Sequence, residues 1–176
     1  MDLPTPHKED GSKFNEKTGS SFGAIQQFGA MRYLSLKTTV HPTLQKSEMK
    51  LFLFWKKRVD GFSPGCSSDV VNKDGISPLA CLLMDDGGQR FLDTVPWLDE
   101  GMERIKLIKC SGADSADWSR DAWGAELSKG RAKIYSLYDH DCFETLSLDA
   151  FEMALAAWRK FIQLVPVDGM THTLEI

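Results

Sequence analysis

The segment Ala132–Val165, AKIYSLYDHDCFETLSLDAFEMALAAWRKFIQLV, constrains the fold more than any other part of this chain. It reads as a strand, a tight acidic turn, a second short strand and a long amphipathic helix. Ser147 is placed to cap the helix, because its hydroxyl can accept from an N–H that has no partner in the first turn. Leu146 before the cap and Phe151 four residues into the helix form a hydrophobic staple. Leu148, Phe151, Leu155, Trp158 and Ile162 recur every three or four residues, with Ala154 and Phe161 widening the stripe. Asp149 and Glu152 lie near the positive end of the helix dipole, Arg159 and Lys160 near the negative end. Pro166 stops the helix.

The strand Arg131–Tyr138 is apolar on both faces, as a central strand should be. Lys129-Gly130 links it by a tight turn to an alternating strand at Ala122–Ser128, so three strands run as a meander. Upstream, Thr94–Lys109 reads as a helix, with Pro96 in its first turn and Leu98, Met102, Ile105 and Ile108 on one stripe. Gly101 costs that helix about 1 kcal/mol relative to alanine. Leu79–Met84 reads as a strand entering a hairpin at Asp85-Asp86-Gly87-Gly88, with Phe91 and Leu92 on the return. Met49–Val59 suits a strand buried on both faces, with a helix capped near Thr43 as the alternative. Met31–Val40 reads as an opening strand ended by His41-Pro42. Asp60–Ser77, rich in Asp-Gly and Pro-Gly pairs, reads as a long surface loop. Sequential hairpins and two helices predict an α+β domain: an antiparallel sheet with helices on one face and a long C-terminal helix.

At 176 residues, with 42% hydrophobic and 26% charged residues, the chain is long enough for one ordinary globular core. Residues 1–30 read as a flexible lead-in and residues 31–176 as a single domain. No apolar run is long enough to cross a membrane, and the N-terminus lacks the pattern of a signal peptide, so a cytoplasmic setting is expected. The four cysteines form no CxxC pair, which disfavours a zinc ribbon. Cys81 and Cys110 sit in apolar strings and read as buried, reduced thiols.

The net charge of −4 is unevenly spread. Residues 31–60 carry seven Lys or Arg against two Asp or Glu, whereas residues 61–176 carry eleven against nineteen. The acidic part argues against nucleic acid, which needs a basic footprint, and suits a basic protein partner. Asp139-His140-Asp141, with Glu144 nearby, could bind a metal or move protons. Neighbours in one tight turn diverge, however, so a solvated hairpin turn is the plainer reading. Asp114, Asp117, Asp121 and Glu126 surround Trp118 and Trp123. They could form a docking patch with tryptophan anchors, or the tryptophans could be core and the carboxylates solvated. Lys56-Lys57-Arg58 could touch phosphate but suits a charged strand end. Cys142 beside His140 has no third orienting group, and no nucleotide-binding or hydrolase motif is present. No cofactor is implied.

Trp118 to Leu164 resembles small bacterial immunity proteins, the cognate inhibitors of contact-dependent or type VI secreted toxins. The resemblance rests on Trp118, Trp123-Gly124-Ala125-Glu126, Ile134–Asp139 (IYSLYD), and Ser147-Leu148 leading to Phe151, Leu155, Trp158 and Phe161. It covers about a quarter of the chain. The N-terminal lead-in and the Asp60–Ser77 segment fall outside it. It implies inhibition of a cognate protein toxin by binding rather than catalysis. Such toxins are often nucleases with basic active sites, so Asp114, Asp117, Asp121, Glu126, Asp139, Asp141 and Glu144 are expected to form an acidic docking face. Two other readings stay open: a small metal-dependent or acid–base enzyme around Asp139–Asp141, and an assembly protein of a phage or secretion system that docks through its N-terminal arm.

Overall fold

The computed structural model describes residues 49–176. The expected lead-in and the strand at Met31–Val40 lie outside them. The described chain is α+β, with seven strands in two antiparallel sheets and three α-helices. None of these helices is long and apolar enough to cross a membrane.

The first sheet has the order β2-β1-β7. Strand β1 (Lys50–Arg58) turns through Val59-Asp60 into β2 (Gly61–Ser68) and pairs on its other side with β7 (Thr171–Glu175). The alternation in β1 decides its form: Leu51, Leu53 and Trp55 are buried, while Phe52 and Phe54 are half-buried on the opposite face. Helical spacing would have scattered that apolar set around a cylinder. Part of the expected loop, Asp60–Ser77, is therefore strand β2. Its Pro64 and Gly65 hid it, yet both fit an edge strand: proline needs no ladder donor there, and Gly65 leaves room for the Phe54 ring. A Cβ at Gly65 would lie 2.5 Å from Phe54 Cε2.

The second sheet is a meander with the order β3-β4-β5-β6. Its strands are Ser115–Ser119, Trp123–Ser128, Arg131–Ser136 and Phe143–Ser147. The last three correspond to the expected meander, and β3 adds a fourth strand to it.

Helix α1 (Pro78–Met84) replaces the expected strand. The local signal is Ser77-Pro78: the Ser77 hydroxyl accepts from Ala80 N, and proline occupies the first helical position. Phe91 and Leu92, expected on a return strand, belong to a 3-10 turn at Phe91–Thr94 that leads into α2 (Val95–Cys110). Helix α3 (Leu148–Phe161) is capped by Ser147 Oγ as expected. It spans only 14 residues and is not the end of the fold, because β7 follows it.

One core serves both sheets. Helices α1 and α3 each touch both, and α2 packs on β3, β4 and α3. Leu51, Leu53 and Trp55 meet Leu79, Leu82, Leu98, Ile105, Ile134, Phe151, Leu155 and Phe161 in a single buried cluster. The Trp55 ring stacks on Phe161 at 5.1 Å between centroids. Each sheet thus keeps one face on the helices and turns the other outward.

Candidate functional site

The outward face of the meander is built by register. Asp117 on β3 pairs with Glu126 on β4, Glu126 with Lys133 on β5, and Lys133 with Thr145 on β6. The adjacent row is Ser119, Gly124, Tyr135 and Phe143. The Tyr135 ring lies over Gly124, where an added Cβ would come within 2.9 Å of Tyr135 Cζ. Burial, and then the charges of Asp117 and Glu126, push the Tyr135 hydroxyl above the usual tyrosine range.

Two like charges therefore sit directly opposite on exposed neighbouring strands, an arrangement that disfavours pairing. Lys133, the nearest cation in register, turns the other way and places Nζ 4.8 Å from the Phe143 ring centroid. Among the described residues neither Asp117 nor Glu126 has an ion-pair partner. Phe143 is 48% exposed and Tyr138 78% exposed, so the face and its rim combine carboxylates with accessible aromatic rings.

The other expected docking residues separate into three groups. Asp121, Asp139 and Asp141 lie at one end of the sheet, in the β3–β4 and β5–β6 turns. Tyr138 ties these turns together by donating its hydroxyl to the Asp121 carbonyl, 3.1 Å away. Asp139 and Asp141 form a locally bonded turn: Asp139 Oδ1 accepts from Asp141 N at 3.0 Å, and Ser136 Oγ accepts from Tyr138 N and Asp139 N. His140 is exposed beside them. Asp114 lies at the opposite end, about 20 Å away by strand length, and pairs with Lys129 at 3.2 Å.

Glu144 departs from the expected face. It pairs with Ile134, which is fully buried, so its side chain points inward. There its carboxylate accepts from Leu79 N in the first turn of α1. Burial pushes its pKa up to about 7, with the Leu79 bond acting against that rise. Glu144 anchors helix α1 and is turned away from the outward face of the meander. The sequence placed it near the acidic turn but could not show which side of β6 it would occupy.

Sequence reasoning also missed Asp85. From the C-cap of α1 its Oδ2 accepts from the backbone N–H groups of Asp121, Ala122 and Trp123, and this fixes the β3–β4 turn. The Asp-Asp-Gly-Gly string was legible only as a turn.

Trp118 is buried, stacks on Trp97 at 4.0 Å, and donates Nε1–H to the Trp97 carbonyl. Trp123 is half-buried against the core. Neither stands free as a partner anchor. The expectation for the thiols is also corrected. Cys66 and Cys142 are the buried pair, Cys81 is intermediate and Cys110 is exposed at the end of α2. Burial pushes the Cys66 thiol up to about 12, and burial followed by the Asp139 charge raises Cys142. Neither has the depressed pKa of an activated nucleophile.

A groove of about 380 Å³ lies where β2, α1 and the 3-10 turn meet α3, lined by Phe62, Pro64, Leu83, Met84, Phe91 and Trp158 among others. Two of its polar neighbours are already engaged, Arg90 with Asp93 and the Thr94 hydroxyl with the Phe91 carbonyl. Among the described residues no three His, Cys, Asp or Glu side chains converge as metal ligands. Comparison with family models, curated proteins and solved structures finds no match.

Proposed function

We propose that this chain is an immunity-type inhibitor that binds a basic protein toxin through the outward face of the β3–β6 meander. The observation that carries the reading is the Asp117–Glu126 pair. A folded sheet gains nothing from two adjacent carboxylates that form no ion pair, and local rules are most often broken at functional positions. A guanidinium from a partner would relieve the repulsion and could lie against the Tyr135 ring. Phe143 and Tyr138 supply aromatic contact area beside the charges. Asp121, Asp139 and Asp141 extend the negative field along one rim and would speed encounter with a basic surface. Glu144 has no part in this face.

The test is protection. The chain would be co-expressed in turn with the product of each open reading frame flanking its gene, to find one that arrests growth. The parent chain should restore growth, and Asp117→Lys combined with Glu126→Lys should abolish both protection and the purified complex. Protection that survives this double reversal would exclude the face. Removal of residues 1–30 should leave protection intact, whereas an assembly protein docking through an N-terminal arm would lose its activity.

A further inference from the structure

The outward face of the other sheet has the opposite chemistry. On β1 the residues turned away from the core are Lys50, Phe52, Phe54, Lys56 and Arg58. Their partners on β2 are small: Ser67 beside Phe52, Gly65 beside Phe54, Ser63 beside Lys56 and Gly61 beside Arg58. On β7 the partners of Phe52 and Phe54 are Thr173 and Thr171. The two phenyl rings therefore lie on the central strand among low neighbours, with Phe54 over Gly65. Helices α1 and α3 meet this sheet from the other side, through Cys66, which faces Met84, and Trp55, which stacks on Phe161.

Charge singles out the same face. Strand β7 pairs only with Lys50–Phe54, so β1 and β2 continue past it as a two-stranded ribbon. That ribbon carries Lys56, Lys57 and Arg58, all exposed. Among the described residues none of the three has an ion-pair partner, although most of the other cations there do. Lys56 Nζ lies 5.2 Å from the Phe54 ring centroid, which joins the cationic ribbon to the aromatic pair. The net negative charge of the chain conceals this local excess.

We infer that the outward face of the β2-β1-β7 sheet binds a single-stranded nucleic acid, with bases against Phe52 and Phe54 and phosphates against Lys56 and Arg58 on the same side of β1. Aromatic rings on a sheet surface accept bases of any sequence, and cations along the same strand meet the backbone. Ser67 and Thr173 beside Phe52, and Thr171 beside Phe54, are short enough to leave the rings open to a flat base. An acidic polypeptide would satisfy the cations but would leave the paired rings without a role. This face is separate from the acidic meander face, and the inference does not depend on the toxin-binding reading.

The experiment uses the full chain and a fluorescein-labelled oligothymidylate of about ten nucleotides, followed by anisotropy at low salt. Binding should weaken as salt rises, with a log–log slope of about −0.7 for each phosphate contacted. Lys56→Glu combined with Arg58→Glu should weaken binding at least tenfold and reduce that slope. Phe54→Leu, which keeps an apolar side chain over Gly65, should weaken binding several-fold while leaving the slope unchanged. Thermal melts of both variants establish that they are folded. Lack of oligonucleotide binding under conditions where polyglutamate binds would overturn the inference in favour of an acidic protein partner. Equal binding by the parent and the charge-reversed chain would overturn it altogether.

Discussion

At the scale of single residues, Glu144 and Gly101 show how far a side chain's meaning depends on what it faces. Glu144 has a folded pKa of about 7 against 4.5 for a free glutamate. Its raised value means that ionisation is harder in the folded state. Its contribution to stability is fully present below about pH 4.5 and is lost as pH rises through about 7. The shift corresponds to a loss on the order of 3 kcal/mol. Glu144→Gln keeps a carbonyl oxygen for Leu79 N but cannot ionise. Urea unfolding at about pH 5 and about pH 8 should therefore show the variant gaining on the parent as pH rises. Parallel pH profiles would contradict this assignment. Gly101, which by helix propensity alone is a weakness, proves to be a packing residue. A Cβ there would lie 2.7 Å from Trp118 Cε2 and 3.0 Å from Leu155 Cδ2, both in the core. The indole is held by its stack on Trp97 and by its bond to the Trp97 carbonyl, so it has little freedom to move aside. Gly101→Ala gains about 1 kcal/mol of helix propensity, and overpacking should cost about 1–3 kcal/mol. A lower urea midpoint is the expected outcome.

At the scale of elements, the two shorter helices are held in different ways. Helix α3 carries a continuous apolar stripe, with Phe151, Leu155 and Ile162 wholly buried and Trp158 3% exposed. Trp158→Ala should cost about 3–5 kcal/mol, read from the unfolding midpoint. Helix α1 has only seven residues, too few to persist alone. Carboxylates fasten both of its ends, Glu144 at the first turn and Asp85 at the C-cap. Asp85→Ala would leave the Asp121, Ala122 and Trp123 N–H groups without that acceptor. A loss of about 1–3 kcal/mol is expected, with faster amide exchange at the β3–β4 turn as its local signature. The element types follow the same distinction. The period of three to four residues in α2 and α3 was readable directly, because amphipathic packing imposes it. The six apolar residues at Leu79–Met84 fit a strand or a helix equally well by composition, and the Ser77 cap with Pro78 at the first helical position favours the helix. Strand β2 was hidden because an edge strand under an aromatic ring needs Gly65 and tolerates Pro64, the residues that otherwise mark a loop.

At the scale of the whole molecule, the last described strand returns to the first. Strand β7 closes the first sheet against β1, and Met49 and Ile176 exchange backbone hydrogen bonds of 3.0 and 2.9 Å. Deleting residues 170–176 would strip β1 of that partner and open the Leu53–Phe161 region, where β7 already lines one wall of an apolar groove. The truncated chain should unfold at lower urea and aggregate through the exposed strand edge, measurable by light scattering. The two outward faces separate the charge: the acidic pair lies on the meander and the unpaired cations on the β1–β2 ribbon.

The sequence by itself determined the α+β class, the meander from Trp123 to Ser147, helices α2 and α3, and the acidity of the segment around them. Each of these rests on local periodicity or capping, which a chain carries in its own order of residues. Only the tertiary structure decided that Asp117 and Glu126 share an open face, that Asp114 lies at the far end, and that Glu144 points into the core. The reason is the two-residue period of a strand: neighbouring acids face opposite sides, and register with partners distant in sequence sets which side meets water.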